Sequence, residues 1–277
     1  MSSVITLTTD FGVTDAYVAS MKGIILGINP QATIVDISHC IAPQNILQAA
    51  FTLYTAHRYF PRGTIHVVIV DPGVGGQRRA IILKTPSAYF LAPDNGILSY
   101  VINELCPSHD IKSAKISANP RLIDIKSPLL AVSITNPEFW HEPVSTTFHG
   151  RDIFAPVAAH LSTGLSILRF GESIDSIYVF HLPQSRYDTD GNLVGCILHI
   201  DSFGNLITNI KDSDVPREEV TVKIKKKSIY GVSRFYAEKR GLVAIIGSSG
   251  YLEISFSHGN AATFLGAKVG DKLKIIT

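Results

Sequence analysis

The chain has 277 residues, 45% of them hydrophobic and 17% charged, with a formal net charge of +2. That is the composition of a folded protein with core enough for one large domain or two modest ones, and not of a disordered tail. So small a charge gives no case for nucleic acid or an acidic membrane surface as partner.

The N-terminus, MSSVITLTTDFG, lacks a basic region and a long apolar run, so no signal peptide is expected. VITLT (4–8) reads as a strand, and DFG follows it. Thr14 or Asp15 is then placed to cap a helix whose apolar face is Tyr17, Met21, Ile24, Ile25 and Ile28, ended by Asn29-Pro30. TIVDIS is a second strand, and a helix is expected from about Gln44 to Tyr59, with Ile46, Ala49, Ala50 and Leu53 on one side. TIHVVIV, AIILK and AYFLA continue as strands. This alternation predicts an α/β domain whose central sheet is flanked by helices and buried on both faces.

FHGRDIFAPVAAHLSTG (148–164) reads as a loop feeding one more helix, closed by Gly164. An irregular polar stretch follows, and a domain boundary is expected near 188, giving domains 1–188 and 189–277. Beyond it, VGCILHID, LITNI, VTVKIKK, LVAIIG, YLEISFS and DKLKIIT are short β-rich runs broken by Gly, Asn, Asp and Ser. They predict a smaller all-β, barrel-like C-terminal domain. KIKKK (223–227) resembles a phosphate patch, but a lysine-guarded strand or hairpin edge is the better reading. Cys40, Cys106 and Cys196 are too widely spaced for a metal pair or a disulfide framework. Nowhere do about 18 uncharged apolar residues run together, so no membrane span is expected, and a soluble cytoplasmic protein is the default.

Ligands of open α/β sheets gather beyond the carboxyl ends of the strands. Asp10 closes VITLTTD, Asp71 closes TIHVVIV and opens DPGVGGQRR, PDNG (93–96) follows AYFLA, and His149 precedes a predicted helix. Taken singly each has a bland reading: an Asx-turn at Asp10, an ordinary turn around Asp94, a helix start at His149. Recurrence of carboxylates at equivalent strand ends favours a site. If Arg78 and Arg79 open the next strand, they point to opposite faces, so only one of them reaches Asp71. The glycines of DPGVGG let backbone approach a ligand closely. No GK[ST] phosphate loop, no Cys-x-x-Cys or His-x-x-x-His zinc pattern and no GxSxG elbow is present. The residues themselves support a polar site of Asp, Arg and His, and go no further.

The motifs LTTDFG with DAYVASMKG, DPGVGGQRR, APDNG, TFHGRDIFAPVAAHL, DSFGNLITNI and SSGYLEIS with GNAA stand in one order along the chain. In that order they resemble the S-adenosyl-L-methionine hydroxide adenosyltransferases, relatives of fluorinase and chlorinase, over essentially the whole length. The resemblance implies hydrolysis of S-adenosyl-L-methionine (SAM) to adenosine and L-methionine, with water or hydroxide attacking the ribose C5′. It implies catalytic roles for Asp71, Arg78 and His149 in holding that water, with Arg79 as the alternative to Arg78 by register. Which of Asp71 and His149 takes the proton is left open.

For substrate binding the resemblance implies Asp10 at the ribose hydroxyls and Asp15 near the methionine portion. It adds Phe148 and Phe203 as substrate contacts, Asp201 and Ser248 at methionine, and Asn205, Asn260 and Ala261 at adenine. It further implies a homotrimer with interfacial sites, no metal and no cofactor beyond SAM as substrate, and neither nucleic acid nor membrane as partner. Of the departures from the halogenating relatives, the one that favours water is His149, standing where those enzymes do not keep the water-binding trio; Gly150 is shared with the chlorinase and does not by itself exclude chloride. Gly150 stands for the fluorinase's halide-binding serine, and Pro72 and Gly75 for its halide-pocket tyrosine and threonine. Ser249 and Phe256 replace fluorinase arginines. The competing readings are a chloride-dependent halogenase, a non-catalytic adenosine or SAM sensor, and a metal-dependent hydrolase using Asp10, Asp71 and His149.

Overall fold

The computed structural model of the chain describes residues 3–106, 119–216 and 219–277. These fall into two units that divide between residues 180 and 181. The first contains β1 (Val4–Thr9), α1 (Tyr17–Ile28), β2 (Thr33–Ser38), α2 (Ile46–His57), β3 (Thr64–Ile69), β4 (Ala80–Lys84), β5 (Ala88–Pro93) and α3 (Ser99–Leu105). After these come β6 (Arg121–Asp124), β7 (Leu130–Ile134), α4 (Ala155–Ser162), β8 (Gly171–Ile174) and β9 (Ser176–Val179).

Seven of the strands form one sheet in the order β2-β1-β3-β5-β4-β7-β8. The pairs around β1 and β3 are parallel, while β4 runs antiparallel to both β5 and β7. All six residues of β3 are buried, as a strand covered on both faces requires. On one face α1 lays Met21 and Ile25 into the same core cluster as Val157, Ala158 and Leu161 of α4. Met21 and Ile25 are fully buried, and each such side chain contributes about 1.5–3 kcal/mol on leaving water. The alanines of α4 bring its backbone close to the sheet.

Two local expectations are corrected. Neither Thr14 nor Asp15 caps α1; the residue before it is Ala16, with no side-chain cap. The chain turns earlier, at Gly12 (φ +71°), whose N–H donates to the carbonyl of His39 at 2.9 Å. Residues 148–164 do not pass directly from loop to helix, because a wide π-type turn at Gly150–Phe154 precedes α4. Strands β6 to β9 add to the strands read from the sequence: β6 and β8 are short and polar, and β7 and β9 are short apolar runs within an otherwise irregular stretch.

The second unit holds β10 (Arg186–Tyr187), β11 (Leu193–Ile200), β12 (Leu206–Lys211), β13 (Thr221–Ile224), β14 (Lys227–Tyr230), β15 (Leu242–Ile246), β16 (Tyr251–Phe256), α5 (Ala261–Leu265) and β17 (Lys272–Ile276). Its antiparallel sheet runs β14-β13-β17-β11-β12-β16-β15, with β10 on β11, and curls into a nearly closed barrel. Ile197, Leu206, Val222, Leu252, Ile254 and Leu273 fill its interior. The KIKKK run straddles the β13–β14 hairpin at the sheet's edge, where Lys225 (φ 52°) pairs with Asp271 at 2.7 Å. Among the described residues, no helix is long and apolar enough to cross a membrane.

Candidate active site

Asp71 leaves the C-terminal end of β3, and the DPGVGGQRR turn returns the chain to β4. That turn folds on itself: Val74 N–H donates to Asp71 O at 3.2 Å and Gly76 N–H to Gly73 O at 3.0 Å. The result carries Arg78 back over Asp71. Nε of Arg78 donates to Asp71 Oδ2 at 2.7 Å, and Nη2 lies 2.6 Å from the same carboxylate. The two side chains are only 12% and 5% exposed, so solvent screens this pair weakly.

Arg79 points the other way. Its Nε donates to Asp94 Oδ2 at 2.9 Å and its Nη2 to the carbonyl of Ser176 at 2.8 Å. Asp94 is buried and also accepts the Tyr178 N–H at 2.8 Å. The PDNG carboxylate is therefore neither an ordinary turn residue nor part of the Asp71 cluster, but a clamp from β5 to β9.

His149 reaches the cluster from 71 residues away: its Nδ1 lies 2.8 Å from Nη2 of Arg78. A guanidinium has only donors, so Nδ1 accepts, and the imidazole is neutral with its proton on Nε2. Burial first, and then the Arg78 charge, hold His149 below the ordinary histidine pKa, against opposing pulls from Asp71 and Asp152. The three residues form one chain, carboxylate to guanidinium to imidazole. Its open end is informative: Asp71 Oδ1 is buried and has no hydrogen-bond partner among the described residues. A buried unpaired carboxylate oxygen is costly, and here it offers a strong acceptor beside a fixed N–H donor.

The segment carrying His149 is tied down. Asp152, with no exposed surface, accepts the Ser145 N–H at 2.8 Å through Oδ2 and the Arg151 Nε at 2.6 Å through Oδ1. Burial alone would raise its pKa, but the Arg151 and Ser145 hydrogen bonds and the nearby charges outweigh that and hold it ionised. Asp152 lies within the FHGRDIFAPVAAHL motif but is not among the candidate residues read from the sequence. Its signal was a carboxylate opening the apolar run DIFAPVAA.

Beside the trio stand three aromatic rings. Phe148 meets Phe11 and Tyr17 edge-on, at 5.6 and 5.2 Å between centroids. A Cβ added at Gly150 would lie 3.2 Å from Phe11 and 3.3 Å from Phe148, so the small residue allows these rings to close. Asp10, half-buried at the end of β1, accepts the Gln44 N–H at 2.8 Å. Asp15 is exposed in the loop before α1.

The remaining candidates lie in the barrel unit. Both carboxylate oxygens of Asp201 are engaged by their own loop, accepting the Asn205 N–H at 2.8 Å and the Asn205 side-chain amide at 2.9 Å. Phe203 projects from that loop, 76% exposed. Asn260 caps α5 by accepting the Thr263 N–H at 2.7 Å, and Gly204 (φ +85°) packs against the Asn260 amide. Asn205, Phe203 and Asn260 therefore belong to neighbouring loops. Ala261 is buried in the barrel core, and Ser248 is exposed in the turn between β15 and β16. Among the described residues, no group of three or more His, Cys, Asp or Glu side chains is spaced to hold a metal ion.

Comparison with known proteins bears on both units. Residues 5–171 match the SAM hydroxide adenosyltransferase N-terminal domain, and residues 195–274 match the C-terminal domain of the same family. A protein of Methanocaldococcus jannaschii named (R)-S-adenosyl-L-methionine hydrolase is 35% identical, over 99% of this chain and 95% of its own. A Thermus thermophilus protein of the same name is 32% identical, over 97% of each chain. A fluorinase of Nocardia brasiliensis is 27% identical over 98% of this chain and 96% of its own. Among solved structures, an uncharacterized conserved protein from Thermotoga maritima superposes with a TM-score of 0.84 at 34% identity, covering 99% of this chain and all of that one.

Proposed function

The chain belongs to the SAM hydroxide adenosyltransferase family, and from that premise we propose that it hydrolyses S-adenosyl-L-methionine to adenosine and L-methionine at Asp71, Arg78 and His149. The water oxygen forms a bond to the ribose C5′ while the C5′–S bond breaks, its electron pair leaving with sulfur. Methionine departs as a neutral thioether, so the leaving group needs no acid. What the reaction needs is a water held in line and partly relieved of a proton.

The single observation that carries this reading is the hydrogen-bonded chain from Asp71 through Arg78 to His149, with one carboxylate oxygen unpaired. With Nδ1 committed to Arg78, His149 presents Nε2–H as a donor to the water oxygen. Asp71 Oδ1 accepts a water proton, which makes Asp71 rather than His149 the base in this reading. Arg78 stabilises the charge that develops on oxygen and holds the Asp71 carboxylate in place. Phe11 and Phe148, packed edge to face, give the site an apolar wall, and each of these interactions strengthens as bound substrate displaces water from it. Asp10 serves the ribose hydroxyls and Asp15 the methionine side. The family likeness implies a further substrate contact at Phe148 and, in the barrel unit, at Phe203, Asp201, Asn205, Ser248 and Asn260, while Ala261, wholly buried, backs the loop that carries Asn260. The protein acts without metal or other cofactor, as a cytoplasmic homotrimer. Light scattering of the purified protein tests the assembly, and activity in strong chelator tests the absence of metal.

The deciding experiment is turnover of SAM in oxygen-18 water. Label in the adenosine 5′-hydroxyl is the expected result. Tight binding without products would replace hydrolysis by sensing, and chloride-dependent 5′-chloro-5′-deoxyadenosine would replace it by halogenation.

A further inference from the structure

The loop that delivers His149 is knotted by one residue that never reaches the water-binding cluster. Residues 141–152 form a strap against the first unit, with Val144 and Phe148 packed on its core, and Asp152 ties the ends of that strap through its backbone and the middle through its carboxylate. Its backbone carbonyl accepts the His141 N–H at 2.8 Å, and its side chain accepts the Ser145 N–H at 2.8 Å. Within the strap, the Thr146 carbonyl lies against Gly75 of the Asp71 turn. Arg151, paired with Asp152 at 2.6 Å, sets its guanidinium over the Phe148 ring, 5.1 Å from the centroid. His149 stands between these anchored points.

We infer that Asp152 is a positioning residue: by closing the strap 141–152 it holds the His149 imidazole in register with Arg78. The inference rests on the reading of Asp71, Arg78 and His149 as the water-binding trio. Closing a loop does not by itself call for a charge, since an asparagine oxygen would accept the Ser145 N–H as well. A wholly buried carboxylate is an expensive choice. Its charge does what an amide would not: it fixes Arg151 over Phe148, and, like the Asp71 charge, it favours the protonated form of His149 against the Arg78 cation.

The test uses the full chain and the variants Asp152→Asn, Asp152→Ala and Arg151→Ala, with steady-state kinetics across pH and hydrogen exchange at the Ser145 amide. Asp152→Asn is expected to keep Ser145 protected yet lose roughly tenfold in kcat, with KM changed less. Asp152→Ala is expected to expose Ser145 to exchange and lose about a hundredfold, the scale of a misplaced catalytic group. In Asp152→Asn the acid limb of kcat/KM moves to lower pH, because an anion favouring the imidazolium has gone; a role confined to stability would leave the limb in place. If the Asn variant does not fold, Arg151→Ala carries the test, with a kcat loss of roughly three- to tenfold expected. Wild-type kcat and an unmoved limb in folded variants overturn the inference. His149→Ala, run in parallel, separates the two readings: full turnover there removes the trio itself, whereas a crippled His149→Ala beside unaffected Asp152 variants removes only the strap's role.

Discussion

Nη2 of Arg78 donates to Nδ1 of His149 at 2.8 Å while Nε of the same guanidinium donates to Asp71. One planar cation therefore fixes both the ionised carboxylate and the tautomer of the imidazole. A lysine has three donors on a single flexible point and cannot span the two partners in one plane. Arg78→Lys and Arg78→Ala are each expected to lower kcat by about a hundredfold or more, with the thermal midpoint little changed in the lysine variant. Wild-type turnover by Arg78→Lys would show that the shared plane is unimportant.

The neighbouring arginine should behave in the opposite way. Asp94 is nearly sealed from solvent, its side chain 1% exposed, and Arg79 is its charge partner. Arg79→Ala leaves a buried carboxylate unpaired and is expected to destabilise by about 3 kcal/mol, while the folded fraction retains its kcat. Urea unfolding together with active-site-normalised kinetics measures both. A loss of kcat without loss of stability would assign Arg79 to the chemistry.

His149 sets an acid limb. Its folded-state pKa lies below the ordinary 6.5, lowered first by burial and then by Arg78. Protonation at Nδ1 removes the acceptor for Arg78 and places two cations together. Activity should therefore hold at neutral pH and fall only below the ordinary histidine value. A limb in kcat/KM centred above 6.5 would contradict the tautomer assigned here.

His66 should govern stability rather than rate. It is fully buried on β3, bonded to the Thr6 hydroxyl at 2.7 Å, and burial lowers its pKa to about 3. Between pH 6.5 and 3 the unfolded chain binds a proton that the folded one refuses, so stability falls as pH drops through that window. From pH 7.5 to 5 the loss is about 2 kcal/mol, measurable by urea unfolding. His66→Leu should flatten that slope; an unchanged slope would place the proton uptake elsewhere.

Gly75 couples the two sides of the cluster. Its φ is +76°, and a Cβ there would run into the Thr146 carbonyl. Gly75→Ala is expected to push the strap away from the Asp71 turn and cut kcat by at least tenfold. The left-handed backbone adds a stability cost of about 1–2 kcal/mol. Unaltered kinetics would mean that the strap and the turn move independently.

Much of the architecture was legible in the chain. Runs such as VITLTT and TIHVVIV are rich in β-branched residues and carry no charged Asp, Glu, Lys or Arg, because both faces of the sheet are covered, so β1 and β3 could be placed directly. The barrel strands were readable from short β-rich runs between Gly, Asn and Asp. Strands β6 and β8 were not, since they are four residues long and half or more charged or polar, and β7 and β9, though largely apolar, are too short to stand out. Strand geometry also required Arg78 and Arg79 to part company, without saying which would turn to Asp71.

What the sequence determined by itself was the pair of architectures, through local periodicity, and the ordered motifs that mark the family. Tertiary structure alone decided that Arg78 takes Asp71 and Arg79 takes Asp94, that His149 arrives as an acceptor, and that Asp152 ties its loop. Those choices depend on contacts between residues as far as 71 positions apart. Local propensity carries no information about such distances, and only the packing of the sheet and its helices brings the groups within hydrogen-bonding reach.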